Sequence, residues 1–273
     1  MAEKYIKVTI VATIFLIALG GYTTSSGSGM GCSDVYPLCD SGWLPDFNNP
    51  EQFTEWLHRL GAAIVGVFTL LAFFKSFRKG RVMGIAWCSL TLLLLQGALG
   101  AFTVKTELEE PILIFAHLSI SMIFLGSLAL WKNSLSIQKE NKDTGSFINL
   151  SKVCALVTLM QILTGAAHVH LAKGSPHVLI THIILGFLVT GLSMSAMARA
   201  RRTNQESSIG KRSTWAAYLS VTQLVLGALV FLSLAAKDYP IYLTGHLVIA
   251  AMIWYIHVLN SSTSFLGNKV EKE

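Results

Sequence analysis

Long runs without a single charged side chain dominate this sequence, and they decide what it can fold into. Seven stretches contain no Asp, Glu, Lys or Arg: 8–33, 82–104, 111–131, 153–172, 174–198, 213–236 and 239–268. Each is long enough for a helix across a bilayer, which takes about 20 mostly apolar residues. An eighth stretch, 60–74, holds 15 uncharged residues. At a rise of about 1.5 Å per residue it falls short of a hydrocarbon core about 30 Å thick. It spans only by drawing in Glu55 to Arg59, which puts Glu55, His58 and Arg59 on a helix at the membrane boundary. With 52% of residues apolar and 13% charged, a water-soluble globular domain is excluded.

The basic residues orient the spans, because Lys and Arg collect on the cytoplasmic side of short loops. With the N-terminus inside, 17 fall on inner segments: Lys4, Lys7, Lys75, Arg78, Lys79, Arg81, Lys132, Lys139, Lys142, Lys152, Arg199, Arg201, Arg202, Lys211, Arg212, Lys269 and Lys272. Three fall outside, Lys105, Lys173 and Lys237, and Arg59 lies at the outer boundary. The expected protein is therefore an all-α, multi-pass protein of the cell membrane with eight transmembrane helices and both termini cytoplasmic. Topology already accounts for the net charge of +6, so the bilayer is the partner it implies and no nucleic acid is needed. Lys4 and Lys7 before an apolar run also describe a secretory signal. Cleavage would leave seven helices and break the repeat described next, so this segment is read as the first helix.

A two-helix unit recurs along the chain. Gln96-Gly97-Ala98-Leu99-Gly100 is followed by Pro111 and His117, Gln161 to Gly165 by Pro176 and His182, and Gln223 to Gly227 by Pro240 and His246. In these three units His lies six residues after Pro. The glycine at the end of the outgoing helix lets neighbouring backbones approach, and the proline opens the returning helix, where a missing N–H costs little. The first unit is looser: Leu19-Gly20-Gly21 ends its outgoing helix, and His58 has no proline at the matching distance. Four like-oriented hairpins predict two pseudo-repeated four-helix bundles, residues 1–131 and 152–273, joined by a cytoplasmic linker at 132–151. Both bundles start inside, as parallel repeats about an axis along the membrane normal do.

Each half then carries two histidines at similar depth, His58 with His117 and His182 with His246. A single histidine in a membrane helix is ordinarily a satisfied polar residue, but four at one repeat position call for another account. Two imidazoles from facing helices can ligate a haem iron from its two faces, whereas zinc takes three or four close ligands. His168, His170 and His177 near the third outer loop either line an outer mouth or are solvated at the interface, and His257 is assigned no role.

The first outer loop, roughly 25–54, holds Cys32 and Cys39. Outside the membrane two thiols with a short turn between them can oxidise to one disulfide, serving as a structural staple or as a pair exchanging with an external thiol. Cys88 and Cys154 fall inside helices, as small apolar side chains. Glu55 shares a helix face with His58 and Arg59. It is either the partner of Arg59 in an ion pair or a group that accepts protons or steadies positive charge at a substrate in the first half.

These tags, in this order and at this depth, resemble the haem A synthase family. The resemblance rests on Gly29-Met30-Gly31-Cys32 with Pro37-Leu38-Cys39, on Glu55-Trp56-Leu57-His58-Arg59, on Gln96 to Gly100 followed by Thr103-Val104, and on Ala116-His117-Leu118 and Gly245-His246-Leu247. It implies oxidation of the C8 methyl of haem O to a formyl group, by successive hydroxylations and loss of water from a geminal diol. It also implies haem B on His182 and His246, substrate haem O on His58 and His117, an essential glutamate at Glu55, and the redox or disulfide pair at Cys32 and Cys39. A second thiol pair known as a family variant is absent from the third outer loop. Handover from haem O synthase and an electron donor, with a thiol–disulfide protein at the outer face as a candidate, are the expected partners. Two rivals remain at this stage. A di-haem b-type cytochrome oxidising quinol explains the histidines but not why acid and thiols share one half. A transporter, whose repeated halves frame a central pathway, would show charged or Gly/Pro-broken helices near the midplane, and that sign is missing from this sequence.

Overall fold

A computed structural model describes residues 2–77, 80–135, 145–204, 208–234 and 239–262. Arg78, Lys79, Lys139, Lys142, Lys237, Lys269 and Lys272, the middle of the linker at 136–144, and the C-terminal tail lie outside the described residues. Eight helices account for nearly all of the rest: α1 (Ala2–Ser25), α2 (Pro50–Ser76), α3 (Met83–Lys105), α4 (Pro111–Leu135), α5 (Gly145–His170), α6 (Pro176–Asn204), α7 (Ser208–Leu232) and α8 (Tyr239–Ser261). All eight are long and apolar enough to cross a membrane. The chain is a multi-pass membrane protein, as its charge-free stretches require.

The prolines act as the sequence suggests. Pro50, Pro111 and Pro176 each occupy the first helical position, and Pro240 the second of α8. There the absent N–H would have had no partner in any case. The second helix departs from expectation by starting at Pro50, five residues before Glu55, rather than entering at the Glu55–Arg59 segment. Asn49 caps it, its side-chain oxygen accepting from the N–H groups of Glu51 and Gln52 at 3.1 and 3.2 Å. At 27 residues and about 1.5 Å per residue, α2 crosses the bilayer with its charged first turns to spare. The first repeat unit thus has its opening proline, displaced to eight residues before His58.

Within α1–α4, helix α1 packs on α2 and α4, and α3 on α2 and α4. Within α5–α8, α5 packs on α6 and α8, and α7 on α6 and α8. Each set of four closes into a ring. The rings meet where α8 lies against α1 and α4, and α4 against α5. Trp131, Met122, Leu125 and Leu128 of α4 and Ile6 of α1 are fully buried at this seam, packed with Ile10 of α1 and Trp254 and Leu259 of α8. Gly126 leaves room for the Trp254 ring, whose Nε1 donates to the Met122 carbonyl at 2.7 Å. Near the helix ends Asn133 donates to the Leu259 carbonyl at 2.8 Å and to Ser262 Oγ at 2.6 Å. Outward-facing Phe15, Phe74, Leu94, Phe187 and Phe231 are exposed, as side chains solvated by lipid rather than water should be. Many hydroxyls inside the spans bond back to their own helix, as Thr69 does to the Val65 carbonyl at 2.7 Å.

Candidate functional site

All four repeat histidines lie on returning helices, His58 on α2, His117 on α4, His182 on α6 and His246 on α8. Each imidazole rests on a glycine of the helix that precedes it. A Cβ placed on Gly20 would come within 2.8 Å of His58 Cε1, on Gly100 within 3.1 Å of His117, on Gly165 within 2.6 Å of His182 and on Gly227 within 3.1 Å of His246. The space that glycine opens is therefore taken by an imidazole, not by a neighbouring backbone as helix-packing logic suggests. Gly20, placed in a looser unit by sequence, stands with the other three.

Packing then pairs the rings. The centres of His182 and His246 are 6.2 Å apart, with planes inclined by 61°. Metal–imidazole bonds of about 2 Å, plus the distance from nitrogen to ring centre, put two rings on one metal ion about 6 Å apart. His58 and His117 stand on α2 and α4 of the first ring, the places that α6 and α8 hold in the second. His182 Nδ1 donates to the Gln161 carbonyl at 3.0 Å, which leaves Nε2 with the lone pair a metal needs. Gln96 Nε2 touches both nitrogens of His117, at 3.1 and 3.0 Å. His58 Nδ1 and His246 Nδ1 are buried with no partner, a costly state that a bound group relieves. The residues fit an iron held by two imidazoles, with the remaining positions supplied by a porphyrin.

Beside the first pair lies Glu55, only 3% exposed. Its Oε1 meets Arg59 Nη2 at 2.5 Å, and its Oε2 accepts the Cys32 N–H at 2.8 Å. The ion pair anticipated as one alternative exists, but under the outer loop instead of among headgroups. Arg59 also donates to the carbonyls of Val35, at 2.6 Å, and Leu38, and its guanidinium lies 5.3 Å from the Tyr36 ring centre. Cys32 and Cys39 form a disulfide, and both residues are buried. Cys154 is buried in α5, and Cys88 is exposed on α3.

Sequence reasoning missed Gln52, the hub of this loop. Its amide donates to Asp40 Oδ1 at 2.7 Å and accepts from Ser41 Oγ at 3.0 Å and from the Asp46 N–H. The available signal was its spacing, three residues before Glu55 on one helix face. The remaining histidines stand apart. His168 and His170 end α5, and His177 is exposed at the second position of α6. His257 is buried, in contact with Ser193 Oγ at 3.0 Å, which in turn receives the Ser220 hydroxyl at 3.0 Å.

Fold and site together define a polytopic membrane protein with paired, glycine-backed histidines. The family model described as cytochrome oxidase assembly protein (COX15-CtaA) matches residues 3–176, and the chain belongs to that family. The match takes in Cys32, Cys39, Glu55, His58 and His117, while His182 and His246 lie beyond it. Among curated proteins, the chain is similar to heme A synthase of Geobacillus kaustophilus, 33% identical over 130 residues, covering 46% of this chain and 41% of the relative. It is also similar to heme A synthase of Geobacillus thermodenitrificans (31% over 133 residues, 46% and 41%) and of Bacillus pumilus (33% over 137 residues, 47% and 43%). The matched stretch spans about two fifths of the length of these relatives.

Proposed function

We propose that the protein is a haem A synthase, oxidising the C8 methyl of haem O to a formyl group. Haem O binds in the first half between His58 and His117, and a haem B resides in the second between His182 and His246. The observation that carries this reading is a distribution: glycine-backed histidines at like positions on α2, α4, α6 and α8, with a buried acid and a disulfide loop beside the first pair. The name carried by the similar proteins agrees with it. In this reading residues 1–131 do the chemistry, 152–273 relay electrons, and 132–151 join them, with both termini cytoplasmic. The haem B supplies one-electron transfer.

The chain's own groups have definable tasks. His182 keeps its proton on Nδ1 through the Gln161 carbonyl and offers Nε2. Glu55 is held by one donor on each oxygen, and a carboxylate accepts about four hydrogen bonds. It can therefore take a proton released from the reacting methyl, or offset positive charge there, without letting go of Cys32 or Arg59. The loop over Glu55 keeps water from it. Each of two hydroxylations, with dioxygen as the oxidant and two electrons and two protons from the donor, would put one oxygen atom on the methyl and release the other as water; the geminal diol then loses water to leave the formyl group. Of the two roles open to Cys32–Cys39, burial of both residues supports the staple, because an external thiol must reach a sulfur to exchange. A thiol–disulfide protein acting as electron donor would first have to open the loop. Haem O, insoluble in water, is passed directly from haem O synthase.

The test is mass spectrometry of haems extracted from the protein after expression in a host that makes haem O but no haem A. Haem A, or a hydroxylated haem O, is expected. Haem B alone, with haem O present in the membranes, overturns the proposal in favour of an electron-transfer cytochrome.

A further inference from the structure

The first outer loop carries large apolar side chains that no part of the protein covers. Trp43 is 81% exposed, Phe47 66% and Leu44 61%. Facing water, so large and contiguous an apolar patch is uncommon. The segment is nevertheless fixed in place. The Phe47 and Phe53 ring centres are 5.9 Å apart, Phe53 lies 6.2 Å from Trp56, and Trp56 Nε1 donates to the Trp43 carbonyl at 3.0 Å. Ser41 and Asp46, on either side of Trp43 and Leu44, both bond to Gln52. Residues 43–47 are thus strapped along the first two turns of α2 rather than raised above them.

Those turns point to what lies outside. Phe53 and Trp56 continue a stripe of α2 that runs on through Leu60, Ile64 and Val67 at helical spacing. Phe53, Leu60, Ile64 and Val67 are all exposed, on the face turned away from the bundle. Lower on the stripe, that exposure meets lipid tails. Lys75 marks the inner end of the same helix. Counting back from it, a hydrocarbon core about 30 Å thick takes about 20 residues at about 1.5 Å each, which sets the outer edge of the core near Glu55. Trp43, Leu44 and Phe47 therefore stand beside the helix at the depth of the headgroups. Aromatic side chains collect there, tryptophan above all, because an indole has an apolar body and a polar N–H.

We infer that residues 43–47 are a membrane anchor: Trp43, Leu44 and Phe47 are seated in the interface of the outer leaflet, and the occupant of this patch is lipid. Because the segment is bonded to Gln52, three residues before Glu55, the leaflet also fixes the depth of the loop over that acid. The inference stands apart from what the protein does to haem.

The test uses the full-length protein in vesicles of phosphatidylcholine carrying bromine either near the headgroup or near the chain ends. The lipid is zwitterionic because the loop has acids and no lysine or arginine before Arg59. Tryptophan emission is compared between wild type and Trp43→Phe, and the emission that the substitution removes is that of Trp43. Shallow bromines should quench it about twofold more than deep ones, as for an indole at headgroup level. Acrylamide in the water should leave most of it. Emission open to acrylamide and spared by both brominated lipids overturns the inference and gives the patch to a protein partner. Phe47→Trp is the second variant, keeping a ring against Phe53 while adding an indole. Its added emission should show the same order of quenching. Should Trp43→Phe lose stability, that emission decides, and its indifference to brominated lipid overturns the anchor.

Discussion

The backbone N–H of Cys32 donates to Oε2 of Glu55 at 2.8 Å, joining the outer loop to the first helical turns of α2 across 23 residues of sequence. A loop residue locked by a disulfide thereby orients a buried acid, and the acid in turn holds Arg59 under the carbonyls of Val35 and Leu38.

Replacing the acid separates its structural and chemical parts. Glu55→Ala leaves Arg59 without its carboxylate partner, a loss of about 3 kcal/mol for a buried pair, seen as a lower melting temperature in detergent. Glu55→Gln keeps an acceptor for Cys32 and melts closer to the parent. Both variants should retain second-half haem and form no haem A. Undiminished haem A from Glu55→Gln removes the carboxylate from the reaction.

The glycine under His182 gives a clean size test. Gly165→Ala puts a methyl within 2.6 Å of His182 Cε1, so the ring must move, and haem retained by the second half should fall about tenfold or more. Gly191 on the same bundle has open space at its Cβ position. Gly191→Ala should leave haem content as it was, measured by pyridine haemochrome.

Thiol counting checks the loop. Denatured without reductant, the protein should alkylate at Cys88 and Cys154 only, and after reduction at Cys32 and Cys39 also. Cys32→Ser with Cys39→Ser should lower stability by about 2 kcal/mol. It should also cut haem A formation, through the lost order of the Cys32 N–H. Normal output from that double variant marks the loop geometry as irrelevant to Glu55.

His257 supplies the contrast between a ligand and a packed polar residue. It belongs to the Ser193–Ser220 hydroxyl cluster inside the second bundle. His257→Ala removes one contact from Ser193, which keeps the Val189 carbonyl at 2.7 Å and the Ser220 hydroxyl at 3.0 Å, and should cost about 1 kcal/mol of stability for the lost bond while leaving haem content unchanged. Loss of a haem at normal stability contradicts this placement.

The spans were legible because charge is expensive in hydrocarbon, so gaps between charged residues mark helices almost directly. Pro111, Pro176 and Pro240 could be aligned with His117, His182 and His246 for a similar reason, since a proline at a helix start and a histidine six residues later are both positional facts of one helix. What failed to appear in sequence needed two segments at once. Pro50 looked like a loop residue because the acids after it obscured the start of α2. Gly20 could be matched to His58 only when α1 and α2 were in contact. The Cys32–Glu55 bond and the Gln52 hub join a loop to a helix face, and no periodicity within either segment announces them.

The seam between the two rings has a consequence for how the protein comes apart. Trp254 seated on Gly126 and bonded to Met122, with Asn133 bonded to Leu259 and Ser262, ties α4 to α8 at two depths. Such bonds are each worth about 1 kcal/mol in lipid, and here they sit among the most enclosed side chains of the molecule. The rings then share one cooperative melting transition, and damage to either histidine pair's scaffold is felt by the other through α4 and α8.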